Sequence, residues 1–404
     1  MSSNIKLYFI ISFLNSCWFQ LGNWAMFVLL YISNFELGLF EFIAFGIGFV
    51  FEIPTGAIAD LLGKKKTIVL GNLFLFLGTL IFTLGFMDKI LFLIGNIFII
   101  GLAFPLISGS FEALAYDTLL ENGEEEKYSS IAQNITRTNI IALFICPIIG
   151  GILWKYSVFL PWALTTFSFF WGFVLSLFLV EPKVDSEKFN FNNFIKQNKI
   201  GFHMFSRGLL KIYIPIFMVL YGIYYMWSTG MVRVIMGSDF GFNGENINYL
   251  IGICYLFSAL LIGKTKYVRE KLKDRGGILM LIMMMAIGYL LAFFARDLLS
   301  GVIVFLFMMA SGSIAKPWIS VIINENTPSK YRATTISTFS FLIQFPYILI
   351  VLFFGKFADM GITRNFYLGV GILLIILLIY ALIKLFINSE PKQERLEERT
   401  QVRV

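Results

Sequence analysis

Apolar residues do not alternate with polar ones along this chain. They come in blocks of roughly 20 or more, separated by short clusters of charge and by Gly, Pro and Asn. A helix of that length spans the ~30 Å hydrocarbon core of a bilayer. The strands of a membrane barrel would instead alternate polar and apolar over ~10 residues. The blocks run at 6–33, 36–60, 67–86, 90–118, 128–154, 158–180, 209–236, 245–265, 277–295, 299–323, 332–357 and 365–387, about twelve in all. Each is predicted to be a membrane-crossing helix. Lys6 precedes the first block but no A-x-A-like site follows it, so that block is expected to stay as a span and not to be cleaved.

Composition supports the pattern. Of 404 residues, 58% are hydrophobic and 14% charged, against about 25% charged in globular domains; the mean hydropathy is +0.80. The fold class is therefore an all-α polytopic membrane protein embedded in the lipid bilayer. With the N-terminus inside, about 24 Lys and Arg fall in inner gaps and tails and about six outside, among them Lys155 and Arg233. This bias places both termini in the cytoplasm, and it accounts for the net charge of +7 without a nucleic-acid partner. The longest polar stretch, 181–208, separates an N-terminal half (1–180) from a C-terminal half (209–388). The mixed-charge tail 389–404 is expected to be disordered. The halves echo each other faintly: Lys127-Tyr128 and Lys330-Tyr331 open the fifth and eleventh blocks, which contain Pro147 and Pro346.

The chemistry the chain can host is narrow. Cys17, Cys146 and Cys254 lie in separate apolar blocks and read as inert buried thiols. The single histidine, His203, sits in the central connection, so zinc clusters and Ser-His-Asp chemistry have no histidine inside the membrane. No G-x-x-x-x-G-K-[ST] occurs, which disfavours nucleotide-driven pumping. No cofactor is expected, and the chain does not read as an enzyme.

Ionisable groups at membrane depth cost at least ~2.5–3.5 kcal/mol each, so they are functional candidates. They are Glu41, Glu52, Glu112, Asp117, Arg137 and Lys316. Glu41 and Glu52 share one helix face, with Glu41 toward the outer end of its segment. Glu112 and Arg137 fall at similar depth and are expected to pair. Glu52 is then the expected proton carrier. Lys316 has no local partner and would answer a carboxylate of the other half or an anionic substrate. Gln20, Asn23 and Gln344 could complete a midplane site, and Tyr224, Tyr225 and Trp227 could line its cavity.

One stretch carries a family resemblance. Gly56-x-x-x-Asp60-x-x-Gly63-Lys64-Lys65-Lys66 resembles the loop signature of the major facilitator superfamily, Gly-x-x-x-Asp-Arg-x-Gly-Arg-Lys, with Leu61 where the family has arginine. FEALAYDTLLENGEEEKY and NENTPSKYRATTIS resemble sequences common in its bacterial members. Cys146-Pro147-Ile148-Ile149-Gly150-Gly151 is similar to the antiporter signature Gly-Pro-x-x-Gly-Gly, with cysteine replacing the first glycine. Close helix packing with a kink also explains Pro147, Gly150 and Gly151. The arginine expected early in the fourth segment of proton-coupled drug antiporters is absent; Asn96 and Ile97 stand there. The resemblance implies two six-helix bundles around a central cavity. It also implies a gate in which Gly56, Asp60, Gly63, Lys64 and Lys65 act with Asp117. The expected function is proton-coupled efflux of a small amphipathic or drug-like compound by a monomer in the plasma membrane. The alternatives are uptake or exchange of an anionic metabolite, and a non-transporting sensor or assembly protein.

Overall fold

In a bilayer each backbone N–H and C=O must be satisfied within its own segment, and the helix does this for every apolar block. The computed structural model describes residues 3–84, 88–183, 199, 202–328 and 332–387, the side chains of 52–62, 333–334, 337, 341 and 386–387 excepted. The first half runs α1 (Ser3–Asn15), α2 (Trp24–Val28), α3 (Asn34–Leu62), α4 (Lys64–Leu84) and α5 (Lys89–Asn96), then a π-helical stretch (Ile97–Ala103), α6 (Phe104–Ile107), α7 (Ser110–Glu121), α8 (Tyr128–Trp154) and α9 (Leu160–Ser176). The second half runs α10 (Leu210–Thr229), α11 (Met231–Asp239), α12 (Asn246–Ile262), α13 (Thr265–Phe294), α14 (Leu298–Asn326), α15 (Arg332–Leu342), α16 (Phe345–Asp359) and α17 (Thr363–Leu382). Among the described residues, nine helical stretches are long and apolar enough to cross a membrane, and α9 and α12 are shorter apolar helices.

Several blocks that read as continuous are broken, each for a local reason. The first stops after Asn15 and resumes as the short α2. The fourth turns at Gly109, whose φ of 76° suits a residue without a side chain. The seventh breaks at Gly230, which is extended between α10 and α11. The eleventh breaks before Pro346, which opens α16 at a position where its missing N–H costs nothing. One helix is longer than its block: α13 begins at Thr265 and takes in the basic run TKYVREKLKDR, bending at Lys273 (φ 56°).

Neighbouring helices alternate in direction, so the turn at Gly63 and residues 122–127, 177–183 and 263–265 share the end that carries Ser3. We call this the near end. The turns 30–33, 155–159, 240–245 and 359–363 share the opposite, far end. Within the halves, α9 packs on α1 and α4, and α13 packs on α14 and α17. Between them, α3 lies along α16 and α8 along α12. Large apolar side chains such as Ile152, Phe167, Leu260, Phe353 and Ile376 point outward and stay exposed, which is the surface that lipid covers.

Candidate functional site

Between the halves lies a cavity of about 510 Å³. Trp18, Gln20, Trp24, Glu41, Phe45 and Asn96 line it from one side, and Tyr221, Tyr224, Tyr225, Arg233 and Lys316 from the other. Three wall residues come from irregular backbone. Asn96 is the last residue before the π-helical stretch, an irregularity common at functional sites. Ser228 and Thr229 end α10 where Gly230 breaks it.

Glu41 has no exposed surface. Its carboxylate accepts a short hydrogen bond from the Tyr347 hydroxyl of α16, and the Met231 N–H that opens α11 donates to Oε2 at 3.3 Å. One carboxyl group of the first half thus holds two elements of the second. Gly230 makes this possible, because a Cβ there would lie 1.7 Å from the Tyr347 hydroxyl oxygen. Phe45, one turn along α3, packs edge-on against the Tyr347 ring at 5.0 Å. Glu41 thus lies toward the far end of its segment but is enclosed there. It sits in the wall of the cavity, eight residues into a 29-residue helix.

Arg233 corrects an expectation. It is not an outer-loop cation but a buried one, 1% exposed. Its Nη2 donates to the Leu21 carbonyl at 3.0 Å, and its Nε and Nη1 have no hydrogen-bonding partner among the described residues. Lys316 lines the same cavity from α14. Among the expected cavity residues, Gln20 is on the wall and accepts from the Thr165 hydroxyl. Tyr224 is on the wall as well, but Trp227 lies behind it, fully buried against Phe305. Asn23 is fully buried outside the cavity, where it donates to the Gly244 carbonyl at 2.7 Å. Gln344 stands at the start of α16 and does not line the cavity.

The far end is sealed by contacts between the halves. Asn248 on α12 accepts from Gly22 N at 2.6 Å and donates to the Phe19 carbonyl at 2.9 Å. The Asp359 carboxylate accepts from the N–H groups of Asn34 and Phe35, both at 2.9 Å, so an anion of one half caps a helix N-terminus of the other. Lys155 pairs with Glu245 at 2.7 Å. Gly150 and Gly151 let α8 come this close. A Cβ at Gly150 would lie 1.7 Å from the Phe19 carbonyl oxygen, and one at Gly151 2.7 Å from the Glu245 carbonyl oxygen. Pro147 lies within α8, which continues through it.

At the near end Lys64 pairs with Asp117. Glu181 joins them: its carboxylate accepts from Lys64 N at 2.7 Å and Lys65 N at 2.6 Å, capping α4. Gly63 (φ 91°) makes the turn between α3 and α4. Gly56, Asp60 and Glu52 belong to α3, but their side chains lie outside the described residues. Glu112 and Arg137 are not brought together. Both are exposed, and Arg137 instead donates to Asn134 Oδ1 at 3.3 Å. Similar depth does not make a pair unless the side chains also face each other, and those of Glu112 on α7 and Arg137 on α8 both lie on exposed faces. The second half has its own near-end cluster, in which Arg269 pairs with Asp274 at 2.7 Å and Glu325 at 2.6 Å, and Trp318 Nε1 donates to Asp274 at 2.8 Å.

A sequence profile of the Major Facilitator Superfamily matches residues 7–350 and again 226–403. The chain belongs to the Major Facilitator Superfamily. It is thus a multi-pass membrane transporter and not an enzyme. It is similar to an uncharacterized MFS-type transporter, YxaM of Bacillus subtilis (strain 168), at 25% identity, over 87% of this chain and 88% of the relative. The crystal structure of the nucleoside transporter NupG superposes with a TM-score of 0.77 at 14% identity, over 95% of this chain and 100% of that one. That of a D-xylose–proton symporter superposes with a TM-score of 0.70 at 12% identity, over 94% of this chain and 95% of that one. At such identities the two structures share the superfamily fold with this chain.

Proposed function

We propose that this transporter couples the movement of protons to the movement of a small organic compound through the central cavity, with Glu41 as the coupling group. The observation that carries the proposal is the position of Glu41, in the cavity wall and bonded across to Tyr347 and Met231 of the other half. The far end cannot open without parting these groups, so the same event that changes access to the cavity changes what surrounds the carboxyl. A carboxyl whose burial and hydrogen bonds change is one whose proton affinity changes. That is the linkage a proton-driven cycle needs. The one histidine, His203, bonds with Arg207 outside the membrane blocks and takes no part.

A cavity of about 510 Å³ supports transport over a sensor or assembly role, since sites for small molecules commonly enclose ~300–1,000 Å³. The excess of basic residues supports a near end in the cytoplasm, and the sealed far end then supports reading this as the inward-facing state of a plasma-membrane transporter acting as a monomer. The likeness of Cys146–Gly151 to an antiporter signature favours export, although close packing accounts for Gly150 and Gly151 by itself. The test is reconstitution into liposomes enclosing a pH-sensitive dye, with a panel of small compounds added outside. Substrate-dependent proton movement supports the proposal, and its sign gives the direction. Substrate flux with no proton movement refutes the coupling.

A further inference from the structure

We propose that the cavity takes an organic anion, a largely apolar and planar body bearing a carboxylate, phosphate or sulfonate. The inference rests on the reading of the cavity as the substrate site and names the class of substrate. It begins with an imbalance of charge. Arg233 and Lys316 line the cavity and Glu41 is the acidic residue beside them. Glu41 pairs with neither: its described hydrogen bonds go to Tyr347 and Met231. Lys316 forms no hydrogen bond or ion pair among the described residues, and Arg233 leaves Nε and Nη1 without partners while 1% exposed.

Burying a guanidinium is costly unless its donors are met. Here one is met by a carbonyl and two of the remaining nitrogens are open. Nε and Nη1 lie on different edges of the guanidinium, so each offers a separate charged donor to an oxyanion in the cavity. The break at Gly230 adds to the field. It starts α11 at Met231, two residues before Arg233, so the positive end of a helix dipole lies at the same wall. The rest of the wall is aromatic: Trp18, Trp24, Phe45, Tyr221, Tyr224 and Tyr225. These rings offer flat apolar faces and suit a planar body. A cation would meet two like charges in a low-dielectric enclosure, and a neutral compound would leave the Arg233 and Lys316 charges unanswered.

The test is binding to the purified full chain in detergent, read by isothermal titration calorimetry. The probes are aromatic carboxylates, phosphates and sulfonates, each paired with its neutral amide or ester and with the matching amine. Anionic members should bind, and their neutral and amine counterparts at least about tenfold more weakly. Lys316→Gln and Arg233→Lys should each lower the affinity for the anion by about tenfold or more. Lys316 is exposed to the cavity, so its variant should fold; if Arg233→Lys does not, Lys316→Gln decides. Equal binding of neutral or amine members, no binding by any anion, or an unchanged preference in Lys316→Gln overturns the proposal. No gradient enters the measurement, so a failure here leaves proton coupling standing, and a failure of coupling leaves this result standing.

Discussion

Gly150→Ala should open the far end, and the size of the effect follows from one distance. A Cβ at 150 would stand 1.7 Å from the Phe19 carbonyl oxygen and 3.0 Å from Asn248 Nδ2. Both atoms belong to the seal, in which Asn248 Nδ2 donates to that same oxygen at 2.9 Å and Asn248 Oδ1 accepts from Gly22 N at 2.6 Å. The backbone of residue 19 would have to retreat by more than about 1 Å to remove the overlap. Overpacking of this kind costs about 1–3 kcal/mol, and each hydrogen bond lost adds about 1 kcal/mol. A total near 2–4 kcal/mol falls on the sealed state alone, because the partners are apart when the far end is open. The sealed state should then lose roughly 30-fold to 700-fold in population relative to the open one. The assay places a cysteine at Ser228, on the cavity wall, in a background lacking Cys17, Cys146 and Cys254. An impermeant thiol reagent is applied from the far side. Labelling should accelerate strongly in Gly150→Ala. An unchanged rate in a correctly inserted variant would mean that the approach of α8 to residue 19 does not hold the end shut.

Other perturbations read other parts of the structure. Tyr347→Phe removes the hydroxyl that bonds Glu41 and should weaken the same seal by about 1–3 kcal/mol, seen as faster labelling at position 228; no change would separate Glu41 from far-end closure. Glu181→Ala takes away the carboxylate that accepts from Lys64 N and Lys65 N and should lower thermal stability by about 1 kcal/mol, whereas an unaltered melting temperature would show that the cap contributes nothing. The Lys155 ion pair, opposed by burial and helped by the Tyr249 hydrogen bond, holds the Glu245 carboxyl below its usual range. A depressed carboxyl contributes to closure above the ordinary carboxylate range and loses that contribution as the pH falls through its lowered value. Labelling at position 228 should therefore rise slightly as the wild type is taken into acid and approach the rate of Glu245→Gln, which should not change with pH on this account; equal rates of the two at neutral pH would assign the pair no part in the seal.

The blocks were legible because length and apolar composition decide a helix in a bilayer. The eighth, tenth and twelfth, at 245–265, 299–323 and 365–387, correspond closely to α12, α14 and α17. The breaks were harder to see, since Gly109 and Gly230 lie inside runs of unchanged hydropathy. Missing the break at Gly230 left Arg233 among the outer cations, although Ser-Thr-Gly before a methionine and an arginine is a usable sign of an interrupted helix. The meeting of Lys64 with Asp117 was suggested by a local loop pattern, and the structure brings the two together. Glu41 gave no such signal. Its partners Tyr347 and Met231 lie 306 and 190 residues away, and only the packing of α3 along α16 puts them in reach. The Asn248 bridge and the Asp359 cap are non-local in the same way.

Gradient-driven transport against exchange, compared in Glu41→Gln, bears most directly on the claim that Glu41 links protons to substrate. Liposomes carrying the wild type or the variant would be loaded with substrate and assayed twice, once with a pH gradient and once with labelled substrate outside and no gradient. Glu41→Gln should keep exchange, since the amide can still accept from Tyr347 and Met231, and should lose uphill transport. Uphill transport at the wild-type rate in Glu41→Gln, with its loss in Glu52→Gln instead, would contradict the assignment and move the coupling to the other carboxyl of α3.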